Sequence, residues 1–257
     1  MKNTDSDNNP AATDGGQSLI EHLLELRKRL LNIIIAVLVV FALLMITTAY
    51  RYLYDWLAMP LTRALPEGTS MIATSVTSPF LVPMTLAFYV SLIVTMPYIL
   101  HQIWAFVSPG LYQRERKLAL PLLTSSVLLF YLGCAFTYFV IFPVLFSFFT
   151  SVAPEGVAVM TDIGSYLSFV MALFLAFGLS FELPVFIILL VASGLVKHQT
   201  LKDKRRFVIA GCFVVAMFLT PPDIFSQTLL AIPMCLLYEA GIFFSRNIKS
   251  RGDDDQA

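Results

Sequence analysis

Three carboxylates in this chain stand where their charge has to be explained. Glu25 lies in Ser18-Leu-Ile-Glu-His-Leu-Leu-Glu-Leu-Arg-Lys-Arg29, where Leu19, Leu23, Leu26 and Leu30 form one apolar stripe at helical spacing. The pattern predicts an amphipathic helix, with Ser18 and Glu21 spaced as a capping box. Read plainly, this is an interfacial anchor with solvated charges; read for chemistry, Glu25 is a carboxylate fixed at a membrane edge. Glu115 lies in Ile103-Trp-Ala-Phe-Val-Ser-Pro-Gly-Leu-Tyr-Gln-Arg-Glu-Arg-Lys117, an acid among three cations after the turn signal Ser108-Pro109-Gly110. It either pairs locally or joins Glu25 in a site for a dication. A guanidinium binds a carboxylate bidentately, so two carboxylates suit two arginines. Glu182, in Leu179-Ser-Phe-Glu-Leu-Pro184, sits near the middle of an apolar run, where an ionisable group is a functional candidate by default. Its plain reading is a neutral, hydrogen-bonded acid within helix packing.

Other polar residues are weaker candidates. Asp223 reads as a cap for the last apolar run, and Glu239 is spaced to reach toward Arg246. His22 and Glu25 are spaced as a metal pair, but no third ligand accompanies them. No nucleophile elbow, phosphate loop or metal cluster stands out, so neither an enzyme nor a cofactor is expected.

The elements that must position these residues follow from composition. Of 257 residues 58% are hydrophobic and 13% charged, with 22 Phe, and several apolar runs approach the ~20 residues that cross a bilayer. In lipid such runs have to be helices, because every backbone polar group must be paired internally. The expected fold is an all-α polytopic membrane protein with spans near 30–49, 80–106, 119–149, 166–193, 207–220 and 225–244. Fifteen of the seventeen Lys and Arg then fall on one side, leaving only Arg51 and Arg63 on the other. The positive-inside rule puts both termini in the cytoplasm. Residues 1–17 read as a disordered tail, 18–246 as one membrane domain, and 247–257 as a short acidic tail. No cleavable signal peptide is expected.

Residues 50–79 make the one sizeable external loop, with Tyr50, Tyr52, Tyr54 and Trp56 suited to an interfacial belt and Pro60 and Pro66 expected to interrupt any helix there. Pro83, Pro97, Pro121, Pro143, Pro184 and Pro233 recur at span depth and point to bent helices around a concavity. The fifth run, Phe207 to Leu219, is short for a span. Cys134, Cys212 and Cys235 all lie in apolar runs and do not make a disulfide framework.

These residues resemble the TatC family, the multispanning receptor of the twin-arginine protein translocase. The resemblance covers roughly 18–246. It rests on His22-Leu-Leu-Glu-Leu-Arg-Lys-Arg29, Met71-Ile-Ala-Thr74, Ser78-Pro-Phe80, the Trp104 to Arg116 loop, Phe181-Glu-Leu-Pro184, Leu219-Thr-Pro-Pro-Asp-Ile-Phe-Ser-Gln227 and Leu229-Leu-Ala-Ile-Pro233. It implies a glove-shaped six-helix receptor in the bacterial cytoplasmic membrane that binds the consecutive arginines of signal peptides on folded cargo. It further implies single-span partners, TatA and TatB, self-association in a larger complex, and export driven by the proton-motive force. By the resemblance, signal binding falls to Glu25 and Glu115 with Arg27 and Phe106 close by, and the buried acid is Glu182. Polar contacts for partner helices fall to Tyr138, Thr220 and Gln227, and Pro60 and Asp223 are sensitive external positions. Arg205-Arg206-Phe207 superficially imitates a twin-arginine signal, but it is internal and is explained by topology.

Two other functions compete. An ion-coupled secondary transporter of a small solute would use Glu182 beside a broken helix, though neither paired broken helices nor an internal repeat is visible. A passive membrane scaffold would need none of the three acids. Glu25 and Glu115 discriminate, since a solute transporter has no need of them.

Overall fold

Each long apolar run of the sequence forms helix. The computed structural model describes residues 11–47, 49–64, 71–107, 119–152, 160–196, 198–220 and 223–246. The helices are α1 (Ala11–Thr47), α2 (Tyr50–Ala64), α3 (Ser78–Val107), α4 (Ala119–Phe136), α5 (Phe142–Ser151), α6 (Ile163–Ser180), α7 (Leu183–Ala192), α8 (His198–Asp203), α9 (Arg205–Leu219) and α10 (Ile224–Ser245). A π-helical turn, Thr137–Ile141, joins α4 to α5. Among the described residues, five segments are long and apolar enough to cross a membrane: Leu23–Thr47, Ser78–Phe106, Leu120–Ser151, Ile163–Ala192 and Ile224–Ser245. The expected fifth span is α9, whose 15 residues reach roughly 22 Å, short of the hydrocarbon thickness.

Three local expectations need correction. First, α1 starts at Ala11, so Ser18 and Glu21 are interior positions and not a cap, and 11–17 belongs to the helix. Ala11 and Ala12 are among the best helix formers. Residues 1–10 and 247–257 lie outside the described residues. Second, Pro60 sits inside α2 and does not end it; Pro66 lies outside the described residues. Third, Glu239 pairs with Arg205 at 2.7 Å rather than reaching toward Arg246. The neighbouring helix α9 brings its first residue closer than the next turn of α10 does.

Tyrosines explain how the prolines are tolerated. A proline at position i has no N–H for the carbonyl at i−4, and at membrane depth that carbonyl has no water to turn to. Pro60 leaves the Trp56 carbonyl without its helical donor, and the Tyr138 hydroxyl donates to it at 3.0 Å. Pro97 does the same to the Ile93 carbonyl, and the Tyr131 hydroxyl donates there at 3.1 Å. Pro143 follows directly on the π-helical turn and Pro184 opens α7 after a turn, so each stands at a break in its span.

Packing runs in an open row. α1 packs mainly on α3, α3 on α4 and α6, α4 on α6, α7 on α10, and α10 on α9. Small residues set the closest approaches. A Cβ on Gly178 of α6 would lie 2.6 Å from the Phe130 ring of α4, and one on Gly133 would lie 2.8 Å from the Phe177 carbonyl. Ile72 donates to Thr161 and accepts from Ile163, at 3.0 and 2.9 Å, tying the segment before α3 to the start of α6.

Candidate functional site

The first site residue is placed by helix geometry. Glu25 and Arg29 are one turn apart on α1, and Arg29 donates from Nε at 3.0 Å and from Nη2 at 2.6 Å, both to Oε1 of Glu25. The same guanidinium reaches α3, donating to Oε1 of Gln102 and to the Ala105 carbonyl, each at 3.1 Å. Gln102 is buried at 9% exposure. Arg29 therefore pins the Glu25 carboxylate to the end of α3, and no bond among the described residues occupies Oε2 of Glu25. Phe106 lies one residue beyond the clamped Ala105 carbonyl and is half-buried, while Arg27 is exposed on α1. Glu115 lies outside the described residues. The sequence reading passed over Arg29 and Gln102. The spacing of Glu25 and Arg29 was the signal for the first; nothing local marks the second.

Glu182 sits at the break between α6 and α7. Its N–H donates to the Leu179 carbonyl at 3.1 Å, and Pro184 starts α7 immediately after it. Its Oε1 is buried and has no partner among the described residues. An unpaired buried oxygen is costly in a low-dielectric interior, so this position carries unspent hydrogen-bonding capacity. The fold places it at a break between α6 and α7, within the apolar run whose middle the sequence pattern assigned it.

The remaining candidates divide between two places. Thr220 caps α9, its hydroxyl donating to the Ala216 carbonyl at 3.0 Å. Asp223 caps α10, accepting from the Ser226 N–H at 2.7 Å, as its position after Pro222 foretold. Its other oxygen, Oδ2, is buried without a partner among the described residues, as is the Ser226 hydroxyl. Gln227 crosses between the two helices, with Nε2 donating to the Phe213 carbonyl at 3.1 Å. Tyr138 is engaged elsewhere. It stacks flat on Trp56, with ring centroids 4.0 Å apart, and lines a cavity with Pro60. A tyrosine on a π-helical turn fits the frequent use of such turns at functional sites.

A residue that the sequence analysis did not single out joins the segment before α3 to the start of α6. Asp162 caps α6 by accepting from the Gly164 and Ser165 N–H groups at 3.1 and 2.9 Å. It also accepts from the Thr74 N–H at 3.0 Å and the Thr74 hydroxyl at 2.7 Å. The Thr74 N–H, then those of Ser165 and the Thr74 hydroxyl, hold its carboxyl well below the usual carboxylate range. An aspartate immediately before an apolar run is a helix start signal, and Met71 to Thr74 supplies the other half.

Comparison with known proteins decides the family. Residues 21–233 match the family model described as Sec-independent protein translocase protein (TatC). The chain belongs to the TatC family. It is 58% identical over 236 residues to the Sec-independent protein translocase protein TatC of Escherichia coli (strain K12), covering 92% of this chain and 91% of that one. It is 55% identical to the protein of the same name from Azotobacter chroococcum mcd 1, over 93% of each chain. A crystal structure of the twin-arginine translocase receptor TatC in DDM superposes with a TM-score of 0.80 at 34% identity, covering 88% of this chain and 99% of that one. The family is one of protein translocase components, not enzymes, and the multiple apolar helices make this member a multi-pass protein of the bacterial inner membrane. As a TatC family member it carries the all-α polytopic fold of the receptor, and α9 is consistent with the fifth of six spans.

Proposed function

We propose that this TatC family member is the signal-peptide receptor and core subunit of a twin-arginine translocase exporting folded proteins. Glu25 and Glu115 take the two consecutive arginines, with Arg27 and Phe106 beside them. The observation that carries this reading is the Glu25 carboxylate, held by Arg29 through one oxygen while the other has no bond among the described residues. A carboxylate preset in this way offers a guanidinium a charge-assisted bond without first being ordered. The termini lie in the cytoplasm, where the fifteen cations put them. Single-span partners of the TatA and TatB type dock through the polar residues Tyr138, Thr220 and Gln227, with Glu182 in the intramembrane concavity. The proton-motive force drives transport. Pro60 and Asp223 act from the external side.

The test is binding of a labelled twin-arginine peptide to the purified protein by fluorescence anisotropy. Charge-assisted bonds contribute about 1.5–3 kcal/mol each, less when exposed. Glu25→Gln and Glu115→Ala should each weaken binding at least several-fold, and Glu115→Lys more than Glu115→Ala. Unchanged affinity in both single variants refutes the assignment.

A further inference from the structure

The groove between α2 and the π-helical turn, which Tyr138 and Pro60 also line, holds a cation that the receptor reading does not use. Trp56, Met59 and Arg63 of α2 face Tyr138, Phe139 and Ser147 across a cavity of about 520 Å³, within the size range of small-molecule sites. Its walls are of two kinds. Arg63 and Ser147 are polar, Arg63 in the last turn of α2 and Ser147 midway along α5. Met59 and Phe139 are apolar and exposed, Phe139 at 70%, although both stand at membrane depth or its edge. Trp56 also lines a second, apolar cavity of about 180 Å³ with Leu86, Met171 and Phe174. The indole therefore separates a space holding a cation from a space with no charged wall.

Arg63 has no carboxylate partner among the described residues, and no acid lines its cavity. Arg63 is exposed to whatever fills the groove, and a phosphate binds a guanidinium through charge-assisted bonds. The exposed apolar wall opens the site sideways, toward hydrocarbon rather than toward water. We propose that this groove is a binding site for an anionic phospholipid, with the phosphate on Arg63, the glycerol region near Ser147, and an acyl chain along Met59 and Phe139 against Trp56. The absence of any acid in the lining selects an anionic headgroup over a zwitterionic one, whose amine would find no partner here. Trp56 and Tyr138 are the aromatic types that settle at headgroup level.

The site places a reporter next to the ligand, since the chain has only two Trp, Trp56 and Trp104. The full chain carrying Trp104→Phe is reconstituted in nanodiscs, and quenching of Trp56 emission is read with phosphatidylglycerol or phosphatidylcholine brominated on the acyl chain. Phosphatidylglycerol should quench more strongly at equal mole fraction. Arg63→Gln should reduce the preference about five-fold, Arg63→Lys should keep most of it, and Arg51→Gln, which removes the other external cation, should leave it intact. Equal quenching by the two lipids overturns the proposal. So does a loss of preference in Arg51→Gln equal to that in Arg63→Gln, which indicates a general field. Loss of the preference on adding excess inorganic phosphate overturns it too, by showing a site for a soluble anion.

Discussion

At the scale of single residues, hydrogen-bond accounting explains what identity alone does not. Pro60 and Tyr138 are far apart in sequence, yet one removes the donor for the Trp56 carbonyl and the other replaces it. Tyr138→Phe should therefore destabilise the protein by about 1–3 kcal/mol, the cost of an unpaired buried polar group. Pro60→Ala restores an N–H at position 60, so the same Tyr138→Phe change should cost much less in that background. Thermal unfolding of the four proteins of this cycle in one detergent checks it, and equal cost in both backgrounds removes the argument. Asp162 supplies a pH dependence. Its folded carboxyl is held below its unfolded value, near 3.9, so the stabilisation is fully present above that pH and is lost as pH falls toward the lower folded value. The stability difference between the native chain and Asp162→Asn should be constant near neutrality and shrink progressively below about pH 4. A difference that does not change with pH would mean the charged form is not the one the Thr74 contacts favour. The cap at Asp223 was legible in the sequence because it stands just before the last apolar run. Gln102 was not, because its role exists only once α1 lies against α3.

At the scale of elements, four of the six expected spans lie within a few residues of the long apolar helices, while the first begins at Leu23 rather than near 30 and the fifth is the short α9. Leu120–Ser151 and Ile163–Ala192 match the expected 119–149 and 166–193 closely. What pattern could not show is how each span is broken: a π-helical turn before Pro143 in one, and a non-helical step at Glu182 before Pro184 in the other. Proline marks both breaks, but the geometry a proline produces depends on which neighbour supplies the missing donor. The α4–α6 contact was equally hidden, because Gly133 and Gly178 fall inside unremarkable apolar runs. Lipid offers helices no hydrophobic gain on association, so close approach through small residues carries the packing. Gly178→Ala forces a Cβ to within 2.6 Å of the Phe130 ring, and should cost about 1–3 kcal/mol as an overpacked site. Adding Phe130→Leu, which removes the ring, should recover a large part of that loss in a thermal-stability assay. A Gly178→Ala protein as stable as the parent would mean α4 and α6 pack less closely than described.

At the scale of the whole molecule, the open row of helices and the charge asymmetry act together. α1 at one end of the row carries Glu25 on the side where the cations cluster, and α9 and α10 at the other end carry Thr220, Asp223 and Gln227 at the opposite membrane surface. Between them Glu182 holds an unpartnered oxygen at the α6–α7 break. A receptor that must hold an arginine pair at the cytoplasmic surface and meet partner helices within the bilayer needs this vertical separation. The orientation is therefore the premise on which the site assignment stands. Charge counting alone proposes it, because Lys and Arg bias on short loops sets insertion, whereas the order in which the helices pack was not legible in the sequence. Single cysteines placed at Val76, exposed at 98% in the external segment, and at Asp223 should react with a membrane-impermeant maleimide added to intact cells, in a background lacking Cys134, Cys212 and Cys235. Cysteines at Lys202 and Leu195, on the loop between α7 and α9, should react only after the membrane is opened. Labelling of Lys202→Cys in intact cells would invert the molecule, put Glu25 on the wrong side for cytoplasmic cargo, and end the receptor reading along with the topology.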